Sequence, residues 1–369
     1  MHLTTLLLAV LVCVGAVTVR SEPAPVRYAI VGLVHDHARG FIPVASTRQD
    51  IQLVAIVEPY GELAARYAKE YKLNTNIFYT TIEEMLDKAN VQAVATFTST
   101  FDHKRVVEAC AARGIHVMME KPLAVSMKHA RAIEAAAKKG GIQVVVNYET
   151  TWYPANHAAY ALVQDQSQIG DLRKIVVHDG HQGPKEIGCS AAFLNWLTDP
   201  VLNGGGAIMD FGCYGADLIT WLMQGQRPTS VFAVTQQIKP QVYPKVDDEA
   251  TIVVTYPHAQ GIIQASWNWP YNRKDMEIYG ATGCLMIPDK NTLRIRKGNA
   301  AEKESSVSPL AGPNADPLSY LAAVVRGEIK PSGLSSLEVN MVATEILEAA
   351  RKSARTGKRV VFTDKRTKY

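Results

Sequence analysis

The sequence predicts an α/β protein with a doubly wound parallel sheet at its N-terminal end. An α+β domain with an open, mainly antiparallel sheet follows. Two patterns and one size argument lead there. From Val26 to Asn147, apolar runs of strand length alternate with segments of helical spacing, which implies parallel strands with helices on both faces. Beyond Asn147, strand-like runs follow one another with few helices between them, the mark of an antiparallel sheet. Finally, 369 residues of which 47% are hydrophobic and 20% charged exceed one ordinary core and suit about two domains.

The elements follow in order. Val26–Val31 (VRYAIV) is an apolar strand that stops at Gly32, and Gln52–Val57 is a second that stops at Glu58. Over Glu62–Tyr71, Leu63, Ala64, Tyr67 and Ala68 recur at helical spacing. Thr81 and Glu84 have capping-box spacing ahead of a short helix. Val91–Phe97 and Ile115–Met119 are buried strands flanking a Lys104–Arg113 helix that Gly114 closes. Ser126 caps a helix through Lys139, Gly140-Gly141 ends it, and Ile142–Asn147 completes a first domain over 26–147. The second domain, 148–362, starts with an Ala155–Val163 helix and an Arg173–Asp179 strand. Strands then follow at Ser230–Gln237, Ala250–Tyr256, Gly261–Trp269, Met276–Tyr279, Gly283–Ile287 and Thr292–Arg296. Glu302–Pro317 reads as a polar loop, Leu318–Arg326 and Leu337–Arg355 as helices, and Arg359–Phe362 as a short strand.

Composition excludes several classes. The net charge of +4, from 39 Lys+Arg and 35 Asp+Glu, is spread along the chain, unlike a nucleic-acid footprint. No apolar run after residue 21 reaches the roughly 18–20 residues of a membrane span. Five cysteines with no C-x-x-C pair propose neither a disulfide framework nor a zinc module, and no metal is expected. The N-terminus stands apart. Leu6–Val19 is apolar and uncharged, with small residues at Gly15, Ala16 and Ser21, as in a signal peptide. The expectation is a signal peptide over 1–21 and a periplasmic or secreted protein; the alternative is a buried first strand or helix.

In a doubly wound sheet, ligands sit at the carboxyl ends of the strands. Those ends are polar here: Gly32-Leu33-Val34-His35, Glu58, Thr98-Ser99-Thr100 with His103 just beyond, and Glu120-Lys121-Pro122. A carboxylate after the second strand suits the ribose hydroxyls of NAD and repels the 2′-phosphate of NADP. Pro59 and Tyr60 offer no cation for that phosphate, so NADP is the less favoured cofactor. The glycine loop departs from G-x-G-x-x-G: Val34 and His37 hold the second and third glycine places, and the Val34 side chain is expected to crowd a pyrophosphate. Lys121 at a strand end is either a base with a pKa lowered by burial or a structural partner of Glu120. Further on, Gly204-Gly205-Gly206 leads into a helix expected to carry Asp210, Tyr214 and Asp217 on one face.

These segments resemble the glucose–fructose oxidoreductase, inositol dehydrogenase and MocA family over about 26–362. Glu120-Lys121-Pro122 together with the triple glycine, Asp210 and Asp217 carries the resemblance furthest. It implies a Rossmann domain, a second domain whose open sheet makes homodimer or homotetramer contacts, and oxidation or reduction of sugars and polyols with an often tightly held NAD(P). Lys121 matches the family's catalytic lysine and Asp210 its substrate-positioning aspartate. Tyr214 stands where many members have histidine, which resembles the glucose–fructose oxidoreductase and dihydrodiol dehydrogenase branches, with tyrosine as the acid/base. Glu149 departs from the arginine of the glucose–fructose oxidoreductase branch. Lys121 is expected to favour the Tyr214 phenolate. Tyr148, Trp152, His178 and Trp196 are candidate substrate contacts. Trp267 and Trp269 are also available for stacking, and Asp179, His181 and Lys185 extend the His178 segment. Two other classes stay open: an NAD-dependent glycoside hydrolase working by transient oxidation and elimination, and a non-catalytic sugar-binding protein.

Overall fold

Six strands build the first sheet: β1 (Val26–Val31), β2 (Ile51–Val57), β3 (Phe78–Tyr79), β4 (Ala93–Thr96), β5 (His116–Glu120) and β6 (Val144–Asn147). The structure, a computed structural model, describes residues 23–363, so the expected signal peptide lies outside the described residues. The strand order is β3-β2-β1-β4-β5-β6, with every neighbouring pair parallel. The chain winds outward from β1 and then restarts at β4. The two directions part between β1 and β4, which opens a crevice at the carboxyl ends of these strands. Two-residue β3, absent from the sequence expectation, is an edge strand too short to show a pattern.

Local chemistry sets the helix ends. Thr81 Oγ1 accepts from the Glu84 N–H at 3.1 Å, but the returning half of the capping box is missing because the Glu84 carboxylate pairs with Lys88. Ser126 Oγ accepts from the His129 N–H at 3.3 Å. Gly141 takes the left-handed conformation that ends its helix. Gly140 was expected to share that role. Instead it lies inside the helix, where a Cβ would come within 2.3 Å of the Ala111 carbonyl oxygen; it is small because two helices cross there.

The second sheet holds β7 (Leu172–Gly180), β8 (Ser230–Gln236), β9 (Glu249–Thr255), β10 (Gln260–Ser266), β11 (Arg273–Gly280), β12 (Gly283–Ile287), β13 (Thr292–Lys297), β14 (Lys303–Ser306) and β15 (Val360–Val361). Its order is β14-β13-β12-β11-β7-β10-β9-β8-β15, antiparallel except for the β7–β10 pair. One face, with Ile175, Val177, Ile252, Ile263, Met276 and Ile278, is buried. The Gly212–Leu222 helix lies so close to it that a Cβ on Gly215 would fall 2.5 Å from the Ile263 side chain. Val176 and Ile262 on the other face are half-buried, and Phe232 and Val234 are exposed.

Three expectations need correction. The 302–317 loop contains β14, paired to β13, because its Lys/Glu/Ser composition hides an exposed edge strand. The helix expected over Ala155–Val163 is α only over Pro154–Tyr160 and widens to a π turn at Ala161–Asp165. An Ala191–Leu197 helix, capped by Ser190, was not expected. The boundary at 147/148 also divides the chain but not the core. The Pro317–Val325 helix returns to the first sheet, where Leu318, Leu321 and Val324 join Tyr28, Ile30, Ile42 and Phe97. Arg48 anchors it through Asp316 at 2.9 Å.

Candidate active site

The loop after β1 is held in shape from both sides. Gly32 has φ +83°, and a Cβ there would stand 2.6 Å from Thr98 Cγ2, so no other residue fits between β1 and the end of β4. Buried Glu58 ties the loop to β2: one carboxylate oxygen accepts from the Leu33 N–H at 2.8 Å and the other from the Tyr60 N–H at 2.9 Å. Burial raises its pKa, while these two N–H groups work in the opposite direction. Each oxygen keeps a lone pair for another donor. The half-buried Val34 side chain packs against both apolar clusters. Among the described residues, the Val34 and Asp36 N–H groups have no hydrogen-bond partner. Two free amides stand where a dinucleotide fold presents backbone to a pyrophosphate.

Cavities flank this loop. A space of about 280 Å³ is lined by Gly32, Pro59, Thr80, Thr98 and Arg105. On the other side, about 540 Å³ is lined by Asp36, His37, Glu120, Asn147, Glu149 and Trp152. The residues present therefore fit a dinucleotide: adenosine beside Glu58 and Thr98, pyrophosphate on the free amides, and nicotinamide toward Glu120 and Lys121. Three of the expected cofactor contacts, His103, Ser99 and His35, turn inward instead. Buried His103 has its Nδ1 3.3 Å from the Leu123 carbonyl, bracing the turn after Lys121-Pro122, and burial lowers its pKa to about 4. Ser99 donates to Asp102 at 2.6 Å. His35 is buried against Phe193 and Trp196, with Nδ1 accepting from the His37 N–H.

Lys121, at the end of β5, meets the second domain. Its Nζ donates to Asp210 Oδ1 at 2.5 Å and to the Asp210 carbonyl at 3.0 Å. Burial alone would lower the Lys121 pKa, but the Asp210 carboxylate more than offsets this and the pKa is raised. The expected burial-lowered base is therefore an ammonium paired with a carboxylate. Burial likewise opposes ionisation of Asp210, yet Lys121 holds its carboxyl below the usual range. Trp267 donates to the other Asp210 oxygen at 2.9 Å and so positions it.

Tyr214 lies beside this pair, with the Lys121 ammonium 5.1 Å from the centre of its ring face rather than at the hydroxyl. Burial first, and then the negative charge of Glu149, push the phenol well above its ordinary pKa. The expected phenolate is thus disfavoured and Tyr214 rests as a proton donor. Its hydroxyl makes no hydrogen bond to the protein. Asp217 was expected on the same helical face. The helix breaks at Phe211, and Asp217 is fully buried with both oxygens unpartnered, its carboxyl raised by burial alone. It belongs to the core.

The expected substrate contacts separate. Trp152 lines the larger cavity and donates to Asn147 at 2.9 Å. Tyr148 lies behind Tyr214, edge-on at 5.4 Å, and donates to Asn340, so its polar end points into the core. Trp196 donates to the Val34 carbonyl, bracing the cofactor loop from the second domain. His178 lies on the outer face of the second sheet, 2.8 Å from Asp275, and Trp269 is near it there. Half-buried His181 packs edge-on against Phe211 and acts electrostatically on Asp210.

Several site residues were not anticipated. Asn147 donates to Glu120 at 2.8 Å, and His37 Nδ1 lies 3.0 Å from the other Glu120 oxygen. Asp36 accepts from the Ser190 N–H across the crevice. Lys274 of β11 pairs with Glu149 and stands 4.8 Å from the centre of the Tyr214 ring. A signal for Lys274 existed: it precedes Met276 and Ile278 at inward-facing spacing, but the strand was expected to start only at Met276. His35, His37 and Glu120 bring potential ligand atoms within 4.8 Å of one another. His37 links the other two: its backbone N–H donates to His35 Nδ1 at 3.2 Å and its own Nδ1 lies 3.0 Å from Glu120.

Comparison with known proteins agrees with this geometry. Residues 26–148 match the oxidoreductase family with an NAD-binding Rossmann fold, and residues 157–286 match the GFO/IDH/MocA C-terminal domain. The trans-1,2-dihydrobenzene-1,2-diol dehydrogenase of Sus scrofa is 25% identical over 319 residues, covering 83% of this chain and 90% of its own. The aldose-aldose oxidoreductase of Caulobacter crescentus superimposes with a TM-score of 0.76 at 24% identity, covering 92% of this chain and all of the other. An inositol dehydrogenase homologue of Azotobacter vinelandii, solved with NAD+, gives 0.79 at 19% identity over 92% of this chain and 98% of its own. Nothing among these relatives supports the hydrolase alternative.

Proposed function

We propose that this chain, which belongs to the GFO/IDH/MocA oxidoreductase family, prefers NAD to NADP. It moves hydride between the nicotinamide and a CH–OH carbon of a sugar, cyclitol or related diol. The observation that carries this reading is the meeting of Lys121, Asp210 and the unengaged Tyr214 hydroxyl at the carboxyl end of β5. Bound NAD supplies the hydride acceptor. Tyr214 exchanges the proton of the substrate hydroxyl. The Lys121 ammonium stabilises negative charge developing on that oxygen, and Asp210, fixed by Trp267, aims the ammonium. The relatives' names, a dihydrodiol dehydrogenase and an aldose oxidoreductase, support polyhydroxylated substrates. The preference for NAD is supported by Glu58, and by Arg105 of the adenosine-side cavity being paired with Glu83. Single-turnover nicotinamide absorbance with NAD or NADP, over a panel of hexoses, cyclitols and diols, tests the reading. Absence of hydride transfer from every member, or equal use of both cofactors, would overturn the corresponding part.

We further propose an exported homodimer or homotetramer. Support for export is the apolar 6–19 segment; support for assembly is the half-exposed outer face of the second sheet. Intact mass of the protein from its native compartment and light scattering of the purified protein test these two points.

A further inference from the structure

We propose that Asp179, with Lys274, is a second hydroxyl-binding point of the crevice. It would make the enzyme select substrates that carry another hydroxyl besides the one oxidised. The proposal rests on the hydride-transfer reading above and adds the residue that reads the rest of the substrate.

Strand register makes the placement. In β7, Ile175 and Val177 face the buried side, and alternation places Asp179 there too. In β11, Met276 and Ile278 face the same side, and Lys274 is the cross-strand partner of Asp179. Asp179 and Lys274 are therefore neighbours at the end of the inner face, beneath the helix that bears Tyr214. His178, one residue earlier, is turned to the opposite face. The Lys274 and Lys121 ammoniums both lie against the Tyr214 ring, 4.8 and 5.1 Å from its centre. The Tyr214 ring is thus the common neighbour of the two polar clusters.

Asp179 is 1% exposed, and neither carboxyl oxygen has a partner. A buried polar group left unmet demands an explanation. Asp217, equally unpartnered, has no charged group acting on it and sits in the core. Asp179 instead stands among Lys274, Asp275, Glu149 and Lys121, while burial, its largest influence, raises the carboxyl well above its ordinary range and so favours the protonated form. A protonated carboxyl offers one donor and one acceptor, the complement of a hydroxyl. Glu149, the present partner of Lys274, has a side chain 53% exposed and follows the last strand of the other sheet. It is the neighbour a substrate hydroxyl displaces to reach Asp179.

The test uses the full chain with NAD and a matched pair of probes, cyclohexane-1,2-diol and cyclohexanol, measuring kcat/KM for each. The wild type should favour the diol, and Asp179→Ala should reduce that ratio by roughly ten- to a hundredfold, mainly through KM. Asp179→Asn, which keeps a donor and an acceptor, should restore most of it. A ratio unchanged in Asp179→Ala, or both probes losing equally, overturns the proposal and assigns Asp179 a structural role. Wild-type protein that transfers no hydride from either probe, nor from the wider panel, overturns the oxidoreductase reading itself and this proposal with it. Urea midpoints of each variant separate these outcomes from misfolding.

Discussion

Replacing Asp210 by Asn should leave Lys121 as a buried cation without its paired carboxylate, with only the more weakly acting Glu120 charge near it. The pair is 2.5 Å apart with side chains 7% and 6% exposed, so solvent screens it little. Breaking a pair of this kind by removing one partner destabilises by about 3–5 kcal/mol. The same loss removes the carboxylate that raises the Lys121 pKa and leaves burial, the largest influence, which lowers it. The signs follow from linkage. In the wild type, the raised Lys121 pKa contributes stability present below its ordinary value of 10.5 and lost as pH rises through its folded value. The lowered Asp210 pKa contributes stability present above its ordinary value of 3.8 and lost as pH falls through its folded value. The pair should therefore contribute evenly from about pH 5 to 9. In Asp210→Asn the lysine is depressed, the unfolded chain binds the extra proton, and stability should climb as pH approaches the ordinary lysine value. Urea unfolding followed by tryptophan fluorescence across this pH range measures both effects. The double variant Lys121→Met/Asp210→Leu should recover most of the loss, since it buries no lone charge. An Asn variant within about 0.5 kcal/mol of wild type, with a flat pH dependence, would refute the buried-pair reasoning.

Tyr214→Phe should slow single-turnover hydride transfer by roughly 10²–10⁴-fold with NAD affinity nearly unchanged; a full rate would remove Tyr214 from the chemistry. Glu58→Ala leaves the Leu33 and Tyr60 amides unmet at about 1–3 kcal/mol each. NAD affinity and the preference over NADP should both fall in fluorescence titrations, and a preserved preference would contradict the assigned role. Gly32→Ala forces a Cβ against Thr98 at 2.6 Å with φ +83°, strain of order 1–3 kcal/mol. Both thermal stability and NAD binding should drop, and a variant that binds NAD like wild type would show that the loop moves freely.

The first domain was legible because its signals are local. Apolar runs ending at Gly32, Glu58 and Glu120, with caps at Thr81 and Ser126, fix the strands and helices, and alternation fixes their parallel pairing. Lys121, Asp210 and Tyr214 were found for the same reason: each follows a recognisable break in pattern. The substrate side was less legible. The sequence names His178 and Asp179 together, but in a strand one residue is a change of face, and the two side chains lie on opposite sides of the second sheet. Which face is covered was decided by the Gly212–Leu222 helix packing on Ile263.

By itself, then, the sequence determined the element order, the doubly wound first sheet, the glycine and carboxylate at the ends of its first two strands and the residue types of the candidate site. Periodicity, caps and turns act over a few neighbours and are written into the chain. Only the tertiary structure decided the charge states and partners. Lys121 rests as an ammonium because Asp210, 89 positions away, lies 2.5 Å from it. Tyr214 keeps its proton because it is buried and because the negative charge of Glu149 lies near it. Glu149 meets Lys274 across 125 positions. Protonation depends on burial and on the nearest charge, and both are properties of distances in space that no local pattern encodes.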